Sequence, residues 1–180
     1  MRKLTTKELN RLSIEEFKKV SKIPLVIILD NIRSQNNIGS IFRTADAFIL
    51  QEIHLCGITA IPPHREIHKT ALGSTESVAW KYFPSTTDSV RQLKDAGFKI
   101  CAVEQTNASI PIDQFFPEVD KSYAVIFGNE VHGIADNVVQ EVDFCIEIPQ
   151  FGTKHSLNIS VAVGIVIWDL FKKINSATKM

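Results

Sequence analysis

The chain has 180 residues, 44% of them hydrophobic, enough to close one sizeable core, so a single domain is expected. Twenty basic and twenty acidic side chains cancel to a formal charge of zero, which excludes a global field that would draw in nucleic acid or membrane; any anionic ligand must be met locally. The longest apolar run, residues 161 to 168, is too short to cross a bilayer and the amino terminus lacks a signal-peptide apolar stretch, so a soluble cytoplasmic protein is expected.

Residues 1 to 22 carry seven basic groups against three acidic ones, a surplus of four that leaves the remainder at minus four. They read as a basic amino-terminal helical extension whose Leu9, Leu12 and Phe17 dock on a domain formed by residues 23 to 180. In that domain LVIILD (25 to 30) is the first strand, followed by a helix over residues 37 to 49. EIHLCG (52 to 57) is the second strand, residues 87 to 96 a helix, and KICAVE (99 to 104) and YAVIFG (123 to 128) further strands. A helix over residues 134 to 142, the strand FCIEIP (144 to 149) and a helix over residues 156 to 174 complete the pattern. Near-continuous apolar strands alternating with helices predict an α/β domain, a parallel sheet with helices on both faces. Cys56, Cys101 and Cys145 each fall inside a strand-like run with no metal-ligand spacing, which reads as three buried free thiols of a reducing compartment and no metal site.

In such sheets ligands bind beyond the carboxyl ends of the strands, where loops turn into helix amino termini. The loop after the first strand, DNIRSQNNIGS, contains neither GxGxxG nor GxxxxGK[ST], which removes the main support for a dinucleotide or nucleoside-triphosphate site. In NNIGSIFRTADAF, Ile38, Ile41, Phe42, Ala45 and Phe48 form one helical face and Asn37 reads as its amino cap. Arg43 lies about 100° or more from the centre of that stripe. With Gly39 permitting close backbone approach by a ligand, it suits a phosphate site at the helix amino terminus; a lone arginine there is ordinarily a solvated surface charge. The loop GNEVHGIADNV places Glu130 between Gly128 and Gly133 at a strand mouth, where it is equally readable as a surface carboxylate; His132 reads as a surface imidazole. In IPQFGTKHSLNIS, Ser156 reads as the amino cap of the last helix, and Asn158, unneeded for capping and a poor helix former, suggests a polar contact. That helix is apolar nearly all round, which suits burial against the sheet and a partner subunit, a homodimer.

Together these loops resemble the three motifs of the SpoU, or TrmH-like, RNA 2′-O-ribose methyltransferases of the SPOUT superfamily. The first motif is matched by Asn37, Gly39, Arg43, Thr44 and Ala45. The second is matched by Gly128, Glu130, Gly133 and Ile134, and the third by Ile148, Pro149, Gly152, Ser156, Leu157, Asn158, Ser160 and Ala162. KTALGSTESV (69 to 78) also resembles the segment between motifs, so the likeness runs from about residue 24 to 172. Gln150 stands where the family usually has Met, and Val131 where it has a small residue. The resemblance implies a carboxyl-terminal deep trefoil knot, which pattern reasoning alone would not propose. It also implies S-adenosylmethionine held by backbone around Val103, Gly128, Ile148 and Leu157 with Ser156 and Asn158 close by, and an active site using both subunits of a dimer. Arg43 would work on the RNA, supported by Asn37 and Glu130. The absence of a ribosomal-protein-like substrate domain favours tRNA over rRNA. A catalytically silent RNA-binding protein of the same fold would have lost Arg43, Glu130 or Asn158, and all three are present. Whether the basic extension binds RNA or only packs stays open at this level.

Overall fold

The computed structural model describes residues 1–177. The described residues form one seven-stranded sheet from β1 (Ile23–Asp30), β2 (Leu50–Cys56), β3 (Trp80–Phe83), β4 (Lys99–Val103), β5 (Ile110–Pro111), β6 (Tyr123–Phe127) and β7 (Phe144–Glu147). The order across the sheet is β3-β2-β1-β6-β4-β7-β5, and every pairing is parallel. The helices are α1 (Ile14–Lys19), α2 (Gln35–Ala47), α3 (Arg65–Ala71), α4 (Ser74–Ser77), α5 (Thr86–Asp95), α6 (Asp136–Val139) and α7 (Ile159–Ala177).

Strand β1 explains why the strands read as unbroken apolar runs. Leu25, Ile27 and Leu29 enter a core shared with Ile38, Ile41 and Phe42 of α2 and Val163, Val166 and Ile167 of α7. Val26 and Ile28 enter a second core with Val90 and Leu93 of α5 and Val138 of α6. All five β1 side chains are fully excluded from water, so the period-two alternation persists but both faces are apolar. The α/β sheet covered on both faces is thus as expected. Strands β3 and β5 were not legible because both lie at the sheet edges, where a short strand needs no continuous apolar run.

Three local readings change. Helix α2 begins two residues before Asn37, because Ser34 is its cap and accepts from Asn37 N at 3.3 Å. Helix α7 begins at Ile159, not Ser156, and Asn158 stands immediately before it with Oδ1 accepting from Ser160 N at 2.9 Å, a capping contact. The amino-terminal segment is a 3₁₀ turn (Thr6–Leu9) followed by the short α1, not one helix. Of the three residues expected to dock, Phe17 is buried in the main core while Leu9 and Leu12 stay exposed.

The cysteines are free and buried; burial pushes the Cys56 thiol up to about 12 and raises Cys101 and Cys145 as well, so none is poised as a thiolate nucleophile. Among the described residues no helix is long and apolar enough to cross a membrane, and no group of three or more His, Cys, Asp or Glu could hold a metal ion.

Gly39 serves helix packing and not a ligand. A Cβ there would lie 2.1 Å from Thr70 Oγ1 and 2.3 Å from the Ile67 carbonyl oxygen of α3, so the absent side chain lets α2 and α3 touch backbone to backbone. Thr70 Oγ1 also donates to the Asn36 carbonyl at 3.0 Å, pinning the start of α2. Gly39→Ala should therefore cost roughly 1–3 kcal/mol in urea unfolding, the penalty of overpacking against backbone that cannot turn aside; an unchanged midpoint and slope would show that α3 yields freely.

Candidate functional site

The sheet grows in opposite directions from β1, with β2 and β3 on one side and β6, β4, β7 and β5 on the other. Such a reversal opens a crevice beyond the strand ends. On the β6 side of that reversal a cavity of about 310 Å³ lies beyond the strand ends, bounded by the ends of β4 (Val103, Glu104), β6 (Phe127, Gly128) and β7 (Glu147, Ile148). The segment entering α7 adds His155, Ser156 and Leu157, and Glu130 lines the rim. All five expected cofactor residues, Val103, Gly128, Ile148, Ser156 and Leu157, therefore share one cavity with Glu130. Of the other expected residues, Asn37 and Asn158 flank it through hydrogen bonds. Arg43 is elsewhere.

The loop after β6 is held tightly. Asn129 and Gly133 exchange backbone hydrogen bonds at 3.0 and 2.9 Å, closing a turn that folds Gly133 and Ile134 over Gly128. A Cβ on Gly128 would lie 2.2 Å from the Gly133 carbonyl carbon, so no side chain fits at that position. The buried Asn129 amide donates to the Asn31 carbonyl at 2.8 Å and accepts from Val131 N at 2.8 Å, tying the loop to the end of β1. Glu104 accepts from Ile134 N at 3.1 Å, tying it also to β4.

This fixed loop presents Glu130 to α2. Asn37 Nδ2 donates to Glu130 Oε1 at 3.2 Å, Asn158 Nδ2 donates to Asn37 Oδ1 at 3.3 Å, and Asn158 Oδ1 accepts from Ser160 N and Oγ at 2.9 and 2.6 Å. One chain of hydrogen bonds so joins residues 93 and 121 positions apart, one from each motif-bearing segment. Because Ser34 caps α2, the Asn37 side chain is free for this role. Asn158 both caps α7 and makes the polar contact its position suggested.

Arg43 does not line the 310 Å³ cavity. Six residues beyond Asn37 on α2, it is about 120° round the helix and roughly 9 Å along it. It lines a second groove with Arg11 and Ser13 of the amino-terminal segment. Its guanidinium is exposed and makes no hydrogen bond or ion pair among the described residues.

Glu104 and Asn129 were missed. Glu104 had a signal, a carboxylate at the mouth of a strand otherwise made of KICAV. Asn129 had none, because an unspecified position in a loop becomes a buried bridge only when β1 lies beside β6.

A profile of the SpoU rRNA Methylase family matches residues 24–168. A protein of Staphylococcus aureus (strain MSSA476) assigned to the TrmH family of tRNA/rRNA methyltransferases is 31% identical over 160 residues. That match covers 89% of this chain and 63% of the relative, so the chain spans somewhat less than two thirds of its relative's length. Among solved structures, the AdoMet-bound rRNA methyltransferase from Sinorhizobium meliloti superposes with a TM-score of 0.78 at 26% identity, covering 87% of this chain and 59% of that one. The A. aeolicus TrmH/SpoU tRNA modifying enzyme shares the fold, with a TM-score of 0.79 at 24% identity over 92% of this chain and 82% of its own.

The Asn37 amide can be tested by charge. Asn37→Asp sets a carboxylate against Glu130 and should lose about 1 kcal/mol in urea unfolding at neutral pH. Glu130→Gln in the same chain should recover most of the loss; a double variant as unstable as Asn37→Asp alone would mean the two side chains are not paired in solution.

Proposed function

The chain belongs to the SpoU rRNA methylase family, and from that premise we propose that it transfers a methyl group from S-adenosylmethionine to a ribose 2′-hydroxyl of RNA, with tRNA the first substrate to test and rRNA the second. The observation that carries the reading is the chain Glu130–Asn37–Asn158 at the lip of a cavity walled by Val103, Gly128, Ile148 and Leu157. The carboxyl-terminal part is, in this reading, the family's deep trefoil knot. In support, the late strands β6 and β7 are each inserted between earlier ones, β6 between β1 and β4 and β7 between β4 and β5.

The lining fits S-adenosylmethionine. Its volume falls within the range of about 300–1,000 Å³ usual for small-molecule sites. Val103, Phe127, Ile148 and Leu157 offer apolar walls for a planar base, and the Glu104 and Glu147 carboxylates suit a cationic ligand. When bound, the cofactor supplies a sulfonium methyl that is already an activated electrophile. The protein's own task is then alignment and electrostatics. Glu130, Asn37 and Asn158 hold three loops in one arrangement around the ribose. Arg43 grips the neighbouring phosphate with its planar fork and stabilises charge developing on the 2′-oxygen; as a guanidinium it does not act as the base.

Arg43 lies outside its own chain's cavity, which accords with a homodimer in which each site draws on both subunits. Val161, Ile165 and Trp168 form an exposed apolar stripe along α7, spaced four and three residues apart. Phe48, at the end of α2, packs its ring on Trp168 and Phe171 with centroids 5.7 and 5.1 Å away, so α2 and α7 present one continuous face. A face of this kind is suited to a second copy of the chain.

Calorimetric titration should give saturable S-adenosylmethionine binding; none at millimolar ligand would end the proposal. With that affinity unchanged, Arg43→Lys should lower RNA methylation at least about tenfold, because a point charge cannot reproduce bidentate contact. Mass spectrometry of nuclease-digested tRNA and rRNA from a strain lacking the protein should reveal one missing 2′-O-methylnucleoside, and its pool names the substrate.

A further inference from the structure

We propose that Arg11 and Arg43 together line a groove that grips the RNA phosphodiester backbone, so that the amino-terminal segment binds substrate as well as packing on the domain. The proposal rests on the RNA-methyltransferase reading and extends its substrate surface beyond the reacting ribose.

The groove has a volume of about 590 Å³, and its walls come from residues 10–14, from Arg43 and Asp46 of α2, and from residues 71–74 and 77 around α4. Both arginines are exposed, and neither makes a hydrogen bond or ion pair among the described residues. Elsewhere in the same segment the contrary holds: Arg2 is paired with Glu8 at 2.5 Å. The groove's single carboxylate, Asp46, is engaged by the Ser77 hydroxyl. Two guanidiniums without ion-pair partners thus line one concave surface with a single carboxylate, a net positive lining that complements an anionic ligand.

Arg11 is held in place and does not hang from a loose tail. The buried Phe17 side chain anchors α1 in the main core. Ser13 caps α1, accepting from Glu16 N at 3.2 Å while Glu16 accepts from Ser13 N at 2.8 Å. Asn10 turns the chain in the left-handed region at φ 45°, closing the preceding 3₁₀ turn. Arg11 lies between these two fixed points. An extended polyanion is the occupant that uses both arginines at once, and a nucleic-acid backbone presents its charges in series. Because α2 also carries Asn37, a strand gripped in the groove remains tied to the element that shapes the reaction site.

The test uses the 180-residue chain, fluorescently labelled bulk tRNA, and anisotropy titrations between 50 and 200 mM salt. Arg11→Ala should bind about tenfold more weakly at low salt. Its log–log salt slope should be shallower by about 0.9 for a lost duplex phosphate contact, or about 0.7 for a single strand. Arg11→Gln, which keeps length but not charge, should show the same drop, and Arg11→Lys should recover the slope. S-adenosylmethionine affinity should not change in any of the three. Unchanged slopes in both Arg11→Ala and Arg11→Gln would overturn the groove assignment. Absence of cofactor binding by the unaltered chain would instead overturn the methyltransferase reading, while the RNA slopes would still decide the groove.

Discussion

The carboxyl end of β1 is the point from which the functional region is hung. Asp30, almost wholly buried there, accepts from Thr86 Oγ1 at 2.5 Å and from Asn31 Nδ2 at 2.8 Å. Asn31, in the left-handed region at φ 57°, accepts from Ile58 N at 3.1 Å through its side chain and from Asn129 at 2.8 Å through its carbonyl. Three segments (the start of α5, the loop after β2 and the loop after β6) are therefore referenced to one pair of residues. Buried polar groups of this kind must be satisfied or they cost about 1–3 kcal/mol each, so the loops cannot drift independently.

That rigidity gives the Glu130–Asn37–Asn158 chain its meaning. Glu130 and Asn158 are exposed and Asn37 is half-buried, and in isolation their hydrogen bonds would compete poorly with water. They persist because each emerges from backbone fixed by something else: Ser34 at the start of α2, the Asn129–Gly133 pair at the loop, and the cap of α7. In the proposed methyl transfer, fixed geometry of this kind would serve to align the reacting atoms.

Arg43 and Asn37 belong to one helix but to two surfaces. The 100° step of the helix and five intervening residues separate them, and the amino-terminal segment closes over the arginine side. The basic surplus of residues 1 to 22 is thereby given a location beside α2 by a single buried aromatic residue, Phe17. Packing and the proposed ligand contact would both follow from the same anchor.

The central strands, the covering of the sheet on both faces, the buried thiols and the membership of a family were all legible in the sequence. They depend on local apolar periodicity and on short motifs whose residues are close neighbours. Even so, particular residues were misread where two roles suit one side chain. Asn37 is a good cap by type, yet Ser34 caps the helix and frees Asn37 for Glu130. Gly39 permits close approach in either reading, but the approaching group is α3. What only tertiary structure decided is which distant groups meet: Asn129 with Asn31, Glu104 with Ile134, Arg11 with Arg43 in one groove. Those meetings follow from strand order, with β6 beside β1 and β4, and strand order is set by long-range packing that leaves no periodic trace in the residues themselves.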